Sequence, residues 1–159
     1  MPTLSLHAVD VYPYRQRATG TEWLVVRRAP GVAYAGTWRM VGGKVEGDEP
    51  AWRTALRELA EETGWRPGRG LRGVWALPSV NAHYDVGADR VILAPAFAAR
   101  VEGDPVLDDE HDAWAWLPAP EAAGRLAWPE QARLLRLAAA LAGAERPPSW
   151  DVPLEPADG

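Results

Sequence analysis

Three glutamates crowd one short stretch of the chain. Glu58, Glu61 and Glu62 stand beside Arg57 in the segment "TALRELAEETGW". Like charges at these spacings on a helix repel each other by a few tenths of a kcal/mol per pair. Carboxylates one turn apart can instead converge on a hard divalent cation such as Mg²⁺ or Mn²⁺. The alternative is a solvated acidic face, supported by an ion pair between Arg57 and Glu61.

A helix must position these side chains, and both of its ends are marked in the sequence. Glu49-Pro50 is typical of a helix start with proline at the first helical position, and Gly64 stands where a left-handed C-cap belongs. The sequence therefore predicts a helix from about Pro50 to Thr63. At about 100° per residue, one arc packs and the opposite arc carries the charges. The packing arc holds Trp52, Ala55, Leu56, Leu59 and Thr63, and the charged arc holds Arg57, Glu58, Glu61 and Glu62.

The rest of the chain alternates between strand and helix patterns. Period-two and β-branched runs predict strands at 3–14, 22–29, 38–43, 70–78, 89–101 and 112–118. Leucines at helical spacing predict helices at 118–126 and 128–144. The first two strands flank the turn-prone "RQRATGT" and could pair as a hairpin. This mixture predicts an α/β sandwich in which a mixed β-sheet lies between helices.

Length and composition limit the classes of protein. The 159 residues predict a single domain at 1–145 and a tail rich in proline and acid at 146–159. The absence of cysteine excludes disulfides, thiolate zinc sites and thiol nucleophiles. A net charge of -5 argues against duplex nucleic acid and anionic membranes as partners, but a small anionic substrate held through metal stays open. The N-terminus resembles no leader peptide and no window has the length of a membrane span, so we expect a cytoplasmic protein. An apolar hairpin edge leaves a homodimer open.

The residues around the glutamates resemble a known family. From Gly43 the sequence matches the box of the Nudix hydrolases, G-x5-E-x7-R-E-U-x-E-E-x-G-U, in which U is a bulky apolar residue. Nine fixed positions over 23 residues make this pattern far more specific than a single glycine motif. Trp65 replaces a residue that is more often aliphatic, and Val41 stands where many relatives have proline. The fixed places are Gly43, Glu49, Arg57, Glu58, Leu59, Glu61, Glu62, Gly64 and Trp65.

The resemblance implies a Nudix-type α/β/α sandwich and a hydrolase that cleaves a pyrophosphate bond in a nucleotide-type small molecule. Mg²⁺ or Mn²⁺, held by Glu58, Glu61, Glu62 and the carbonyl of Gly42, would neutralise phosphate oxygens and lower the pKa of a bound water. Arg57 would orient the glutamates, and Glu49 would anchor the preceding loop. A plain salt bridge between loop and helix explains Arg57 and Glu49 equally well.

An acid lies outside the box, in the segment "EHDAWAWL". Many Nudix relatives carry an acid there that serves as a further metal ligand or as the general base. A carboxylate on a metal is a poor proton acceptor, so Glu110 is our candidate base, with His111 as the second choice. Glu58 or Glu61 takes this role in some relatives. An ordinary solvated loop residue is the alternative for Glu110.

Cations and aromatic residues supply candidates for substrate binding. Arg28, Arg39 and Lys44 flank the predicted site and could hold phosphate oxygens, although each could also be an ordinary surface cation. Trp38 is the candidate for stacking on a nucleobase, and Trp75, Trp114 and Trp116 lie on or near predicted strands. Most buried tryptophans belong to the core, which is the alternative for these residues.

The segments after the box indicate a branch of the family. "EHDAWAWL", followed by "LAWPEQARLLR", resembles the branch of dihydroneopterin triphosphate and deoxynucleoside triphosphate pyrophosphatases. We therefore expect hydrolysis of a nucleoside or pterin triphosphate, or of another nucleoside diphosphate derivative, to a monophosphate and pyrophosphate. A diadenosine polyphosphate hydrolase is the alternative. A non-catalytic nucleotide-binding regulatory module is another, but such relatives usually lose box glutamates and this chain keeps all of them.

Overall fold

The computed structural model describes residues 1–154, so the last five residues of the predicted tail, 155–159, lie outside the described residues. The strands are β1 (Thr3–Ser5), β2 (Ala8–Arg17), β3 (Gly20–Arg28), β4 (Trp38–Arg39), β5 (Val41–Lys44), β6 (Arg66–Pro67), β7 (Gly70–Asp85), β8 (Arg90–Val101) and β9 (His111–Leu117). The helices are α1 (Ala51–Thr63), α2 (Ala119–Arg125), α3 (Pro129–Ala142) and a 3₁₀ helix at Pro148–Trp150.

A mixed sheet is organised around β2. This strand runs antiparallel to β3 at its C-terminal end and antiparallel to β5 at its N-terminal end. Along its other edge it runs parallel to β8, which in turn pairs with β7 in an antiparallel arrangement. The β2–β3 pair confirms the predicted hairpin, although both strands extend further than predicted and leave only residues 18 and 19 in the turn.

Both faces of the sheet are buried, because alternate residues of its central strands point to opposite sides. Tyr12 and Tyr14 pack with residues of α2 and α3 on one face. Val9 and Val11 pack with α1 on the other face, through Leu59 among others. The sheet therefore lies between helices, and the predicted α/β/α sandwich with a mixed central sheet is confirmed.

Three strand predictions differ from the structure. The predicted strand at 38–43 is divided at Met40 into β4, which pairs with β3, and β5, which pairs with β2. The predicted strand at 3–14 is interrupted at residues 6 and 7, because β1 and β2 pair with β8 in registers that differ by one residue. The strand predicted to stop at Pro78 continues to Asp85 as part of the β7–β8 ribbon. Its pairing is irregular between Ala76 and Val80, where proline cannot donate to the ladder. The polar sequence beyond Pro78 hides the strand, because this ribbon is largely exposed.

The segment after α3 packs back onto the sheet. The Val152 amide donates to the Val74 carbonyl at 2.9 Å, and the Arg146 guanidinium lies 4.2 Å from the ring centroid of Trp75. Residues 146–154 thus cover part of β7, while the domain boundary after residue 145 stays a prediction. No helix within residues 1–154 is both long enough and apolar enough to cross a membrane.

Candidate active site

Helix α1 carries the three glutamates as predicted, between an extended Pro50 and a left-handed Gly64 with φ of 80°. Its start differs by one residue from the predicted Pro50, since Pro50 is the N-cap. Ala55 and Leu59 are buried against the sheet. Glu62, which was predicted on the charged arc, is only 4% exposed. The charged arc is therefore not a solvated face, because β5 covers part of it.

Glu62 is held against the strand that precedes the helix. The Gly42 amide of β5 donates to Glu62 Oε2 at 3.0 Å. Burial raises the pKa of Glu62 to about 8, and the Gly42 hydrogen bond only partly opposes this effect. A Cβ at Gly42 would overlap the Val9 carbonyl of β2, so glycine lets β5 lie close enough to reach the helix.

Glu58 occupies the space that Gly43 leaves open. A Cβ at Gly43 would overlap the Glu58 carboxylate, so the side chain of any other residue would displace it. Burial raises the pKa of Glu58, while a hydrogen bond from Arg57 lowers it. Glu61, by contrast, has a side chain that is 55% exposed. Glu58 and Glu61, both predicted metal ligands, thus differ in how far their side chains are buried.

Arg57 ties the loop before the helix to the glutamates. Its Nη2 donates to Glu49 Oε1 at 2.6 Å and to the Lys44 carbonyl at 2.8 Å, and its Nη1 donates to Glu58 Oε1 at 2.9 Å. The hydrogen bond from Arg57 lowers the pKa of Glu49 to about 2. This planar fork leaves Arg57 few alternative positions, so it fixes the Glu58 carboxylate relative to β5.

The loop before β9 adds further groups to the site. Glu110 accepts a hydrogen bond from Arg28 Nη1 at 3.4 Å. His111 is buried, and its Nδ1 lies 2.8 Å from Asp108 Oδ1. Burial lowers the pKa of His111, and the hydrogen bond to Asp108 opposes that shift. Potential ligand atoms of Glu62, Asp108 and His111 all lie within 4.8 Å of one another.

Most of the predicted site residues line a single cavity of about 600 Å³, which we call the acidic cavity. The predicted residues at its wall are Arg28, Arg39, Gly42, Lys44, Glu58, Glu61, Glu62 and Glu110. Asp10 and Asp108 also line it, and our sequence reasoning missed both. Asp108 could have been found from the acidic run at 108–110, and Asp10 from its position as a charged residue within an apolar strand. Burial raises the pKa of Asp10, against hydrogen bonds led by that from Asn81.

Trp38, the predicted stacking residue, lies outside the acidic cavity. It packs against the core between the guanidinium groups of Arg27 and Arg125. Trp75 is buried and donates to Tyr14 Oη at 3.1 Å, as the core alternative predicts. Trp114 is 43% exposed on β9. The structure therefore gives Trp38 no contact with this cavity that would let it stack on a substrate there.

The acidic cavity joins clustered carboxylate oxygens to unpaired cations. Arg39 and Lys44 make no ion pair within 4.0 Å in the described part of the chain, unlike Arg28 and Arg57. Clustered carboxylates favour a cation among them, and free cations suit phosphate oxygens. The arrangement can hold a divalent metal and a polyphosphate side by side.

Comparison with known proteins decides the family. The model of the NUDIX domain family matches residues 5–138. The chain belongs to the NUDIX domain family. The matched region runs from β1 into α3 and includes every Nudix box residue described above.

Solved structures share the Nudix fold. A NUDIX hydrolase of Listeria monocytogenes is 22% identical with a TM-score of 0.70, over 86% of this chain and 93% of that one. The Escherichia coli dihydroneopterin triphosphate pyrophosphohydrolase is 20% identical with a TM-score of 0.70, over 88% and 99%. A Caenorhabditis elegans Ap4A hydrolase is 24% identical with a TM-score of 0.64, over 86% and 99%. The TM-scores show a shared fold, and together with the family match these structures support a pyrophosphohydrolase.

A curated relative is much longer than this chain. The octanoyltransferase of Myxococcus xanthus is 29% identical in an alignment of 130 residues that covers 76% of this chain and 33% of that protein. The chain therefore spans about a third of that relative's length. The name of the larger protein does not say what its matched segment does.

Proposed function

We propose that the chain is a metal-dependent Nudix pyrophosphohydrolase that cleaves a nucleoside or pterin triphosphate, or another nucleoside diphosphate derivative. From a triphosphate, the products would be a monophosphate and pyrophosphate. The observation that carries this proposal is the convergence of Glu58, Glu61 and Glu62 on one cavity that also contains Arg39 and Lys44. A regulatory module without catalysis would have no need of all three carboxylates.

The residues of the acidic cavity fit a divalent cation. All three box side chains offer oxygen, the donor that Mg²⁺ and Mn²⁺ prefer. Glu62 is buried with a backbone amide as its hydrogen-bond donor, and Gly43 leaves the space that the Glu58 carboxylate needs. Glu58, Glu61 and Glu62 would hold the cation, and Gly42 could add its carbonyl oxygen. When bound, such a cation would supply Lewis acidity and offset the charge of the phosphate oxygens.

The remaining residues would bind and orient the substrate. Arg39 and Lys44 would hold phosphate oxygens, because neither is engaged in an ion pair within residues 1–154. Arg28 would join them if it released Glu110. Arg57 would keep Glu58 in place through its bonds to Glu49 and to the backbone of β5.

Glu110 is the proposed proton acceptor. Its side chain is 55% exposed and lies at the wall of the acidic cavity, where water can reach it. It belongs to the loop before β9 rather than to α1, so it can accept a proton without giving up a place among the box carboxylates. Asp108 and His111 lie next to it in the chain and fix the loop through their mutual hydrogen bond.

A substrate panel tests the proposal. Deoxynucleoside triphosphates, dihydroneopterin triphosphate, diadenosine tetraphosphate and ADP-ribose would be incubated with the protein and Mg²⁺ or Mn²⁺, and pyrophosphate and orthophosphate scored separately. We expect a monophosphate and pyrophosphate from at least one triphosphate, and no turnover in EDTA. Orthophosphate as the only first product would overturn the proposed bond cleavage. A clear preference for diadenosine tetraphosphate would favour the alternative substrate class.

A further inference from the structure

A second cavity of about 520 Å³ adjoins the acidic cavity. Ala8, Asp10 and Arg39 line both, so a ligand could extend from one into the other. We call the second cavity the ring pocket. Its apolar wall includes Tyr34, Ile92, Ala94 and Trp128. Tyr34 and Trp128 meet edge to face, with ring centroids 4.9 Å apart. A flat ring with apolar faces suits such a wall.

The polar end of the ring pocket includes the acceptor groups of Asp10 and Asn81. The Asp10 carboxylate is 6% exposed and receives one short hydrogen bond, from Asn81 Nδ2 at 2.8 Å. Its contacts with Gln131 Nε2 and Tyr12 Oη are both long, at 3.4 Å. An ionised carboxylate can accept about four hydrogen bonds, so Asp10 retains capacity for a ligand.

The neighbours of Asp10 hold it in place rather than compete with it for a ligand. Gln131 Oε1 accepts the Met40 amide at 3.1 Å, which fixes the amide group that faces Asp10. Asn81 Oδ1 is buried and has no hydrogen-bond partner within residues 1–154. A buried acceptor of this kind favours a ligand or a water that brings a donor. Asn81 Oδ1 and the remaining acceptor capacity of Asp10 therefore both suit hydrogen-bond donors on a ligand.

We propose that the ring pocket binds the planar ring of the substrate and that Asp10 selects a ring with an N–H beside an exocyclic amino group. This edge, with two adjacent donors, is common to guanine and to pterins. The inference rests on the proposed function, since it takes the ring and the phosphates of the acidic cavity to belong to one substrate. It narrows that substrate to a guanine nucleotide or a pterin derivative.

Other common rings present the wrong edge to a carboxylate. Adenine and cytosine place a ring nitrogen acceptor next to the amino group, and this acceptor would face the charge of Asp10. Uracil and thymine place their N–H between two carbonyl oxygens, which repel a carboxylate. Since a site built around buried hydrogen-bonding groups rejects ligands that leave them unpaired, we expect strong discrimination.

Binding of monophosphates tests the selection without depending on turnover. Calorimetry in EDTA would compare GMP, IMP and AMP, since IMP keeps the ring N–H of GMP but lacks its amino group. One hydrogen bond to a charged group predicts that GMP binds about 10-fold or more tightly than IMP, and AMP more weakly than IMP. Neopterin should compete with GMP. Equal affinities of the wild-type protein for the three nucleotides, or no binding of any, would overturn the proposal.

The variant Asp10→Asn tests whether the Asp10 carboxylate is the group that selects GMP over IMP. The amide keeps the shape of the side chain and removes its charge, so the ratio of GMP to IMP affinity should fall from about 10 towards 1. Asp104→Asn is the matched control, because Asp104 lines a different cavity, and it should leave the ratio unchanged. A variant of Asp10 that folds and retains the wild-type ratio would overturn the assignment. If Asp10→Asn fails to fold, the wild-type ligand series still decides the question.

Kinetics separate this inference from the proposed function. Absence of pyrophosphate release from every triphosphate, together with selective GMP binding, would defeat the proposed function and leave the ring selection standing. Pyrophosphate release with equal kcat/KM for dGTP, dITP and dATP would defeat the ring selection alone.

Discussion

Replacement of Glu62 by Gln should reveal what this carboxylate does to the stability of the metal-free protein. Glu62 is 4% exposed, and burial raises its pKa from 4.5 to about 8 despite the hydrogen bond from the Gly42 amide. Gln has nearly the same shape, can still accept that hydrogen bond and does not titrate. The substitution therefore removes the titration and preserves the packing.

The sign and size of the effect follow from linkage. Because the folded state binds the Glu62 proton more tightly than the unfolded state does, the folded protein loses stability as pH rises from about 4.5 to about 8. At about 1.4 kcal/mol per pH unit, this shift gives an upper limit of about 5 kcal/mol above pH 8 and about 3 kcal/mol at pH 7. The Glu62→Gln variant does not have this loss, so the difference between its free energy of unfolding and that of the wild-type protein should grow as pH rises.

Urea unfolding in EDTA, at intervals from pH 5 to 8.5, measures the difference directly. The two proteins should have similar free energies of unfolding at pH 5, and the variant should be more stable by up to about 3 kcal/mol at pH 7. Comparison of the two proteins at each pH cancels the contributions of titrating groups that lie far from Glu62. A difference that stays constant across this range would refute the reasoning.

Unfolding in saturating Mg²⁺ without EDTA should instead stabilise the wild-type protein more than the variant. A ligand that binds only the folded state stabilises it, and Glu62→Gln removes one of the proposed ligands. Glu61→Gln is the matched control for the metal-free measurement, because it makes the same substitution on the same helix at a side chain that is 55% exposed rather than buried. A stability gain of similar size in Glu61→Gln would assign the effect to the removal of any carboxylate from α1 rather than to the burial of Glu62.

Three further substitutions test the other parts of the site. Gly43→Ala places a methyl group where the Glu58 carboxylate lies, so kcat should fall about 10²-fold with an unchanged far-UV circular dichroism spectrum. Arg57→Lys cannot reproduce the fork that joins Glu58 to the preceding loop, so kcat should fall by a similar factor of about 10² and the apparent Kd for Mg²⁺ should rise. Glu110→Gln should lower the rate at saturating metal by about 10²- to 10⁴-fold with little change in metal affinity, measured by titration with Mn²⁺.

Control variants and contrary results distinguish the possible roles of Gly43, Arg57 and Glu110. Gly73→Ala meets no atom within 4 Å and should retain activity, so a loss there would mean that glycine replacement harms the fold in general. Normal turnover of Arg57→Lys would mean that Arg57 only forms a salt bridge between the loop and the helix and does not position Glu58 for catalysis. If Glu110→Gln weakens metal binding but recovers its rate at high metal, Glu110 is a ligand. If neither quantity changes, Glu110 is a solvated loop residue and α1 must supply the base.

Local signals in the sequence were enough to predict α1 and the side chains that it carries. Proline near its start, glycine at its end and the spacing of the glutamates all act within a few turns, and the structure differs by one residue at the N-cap. The alternation of apolar residues likewise predicted the central strands and the sandwich, because both faces of the sheet must be covered.

The environment of each side chain was decided by contacts between distant parts of the chain. Helical periodicity places Glu62 on the charged arc, yet β5 buries it, because strand pairing brings Gly42 within 3.0 Å of its carboxylate. In the same way, Trp38 was predicted to contact the substrate but packs against the core. A helical projection specifies the direction of a side chain but not what lies in that direction.

The ring pocket shows most clearly what only the tertiary structure provides. Asp10 lies near the start of the chain, Asn81 on the β7–β8 ribbon and Gln131 in the last α-helix, and none of them belongs to the Nudix box. By itself the sequence determined the box, its helix and the carboxylates for a metal, since neighbours in the chain set that spacing. Only the fold brings together three residues up to 121 positions apart, because sheet pairing and helix packing decide which distant side chains meet.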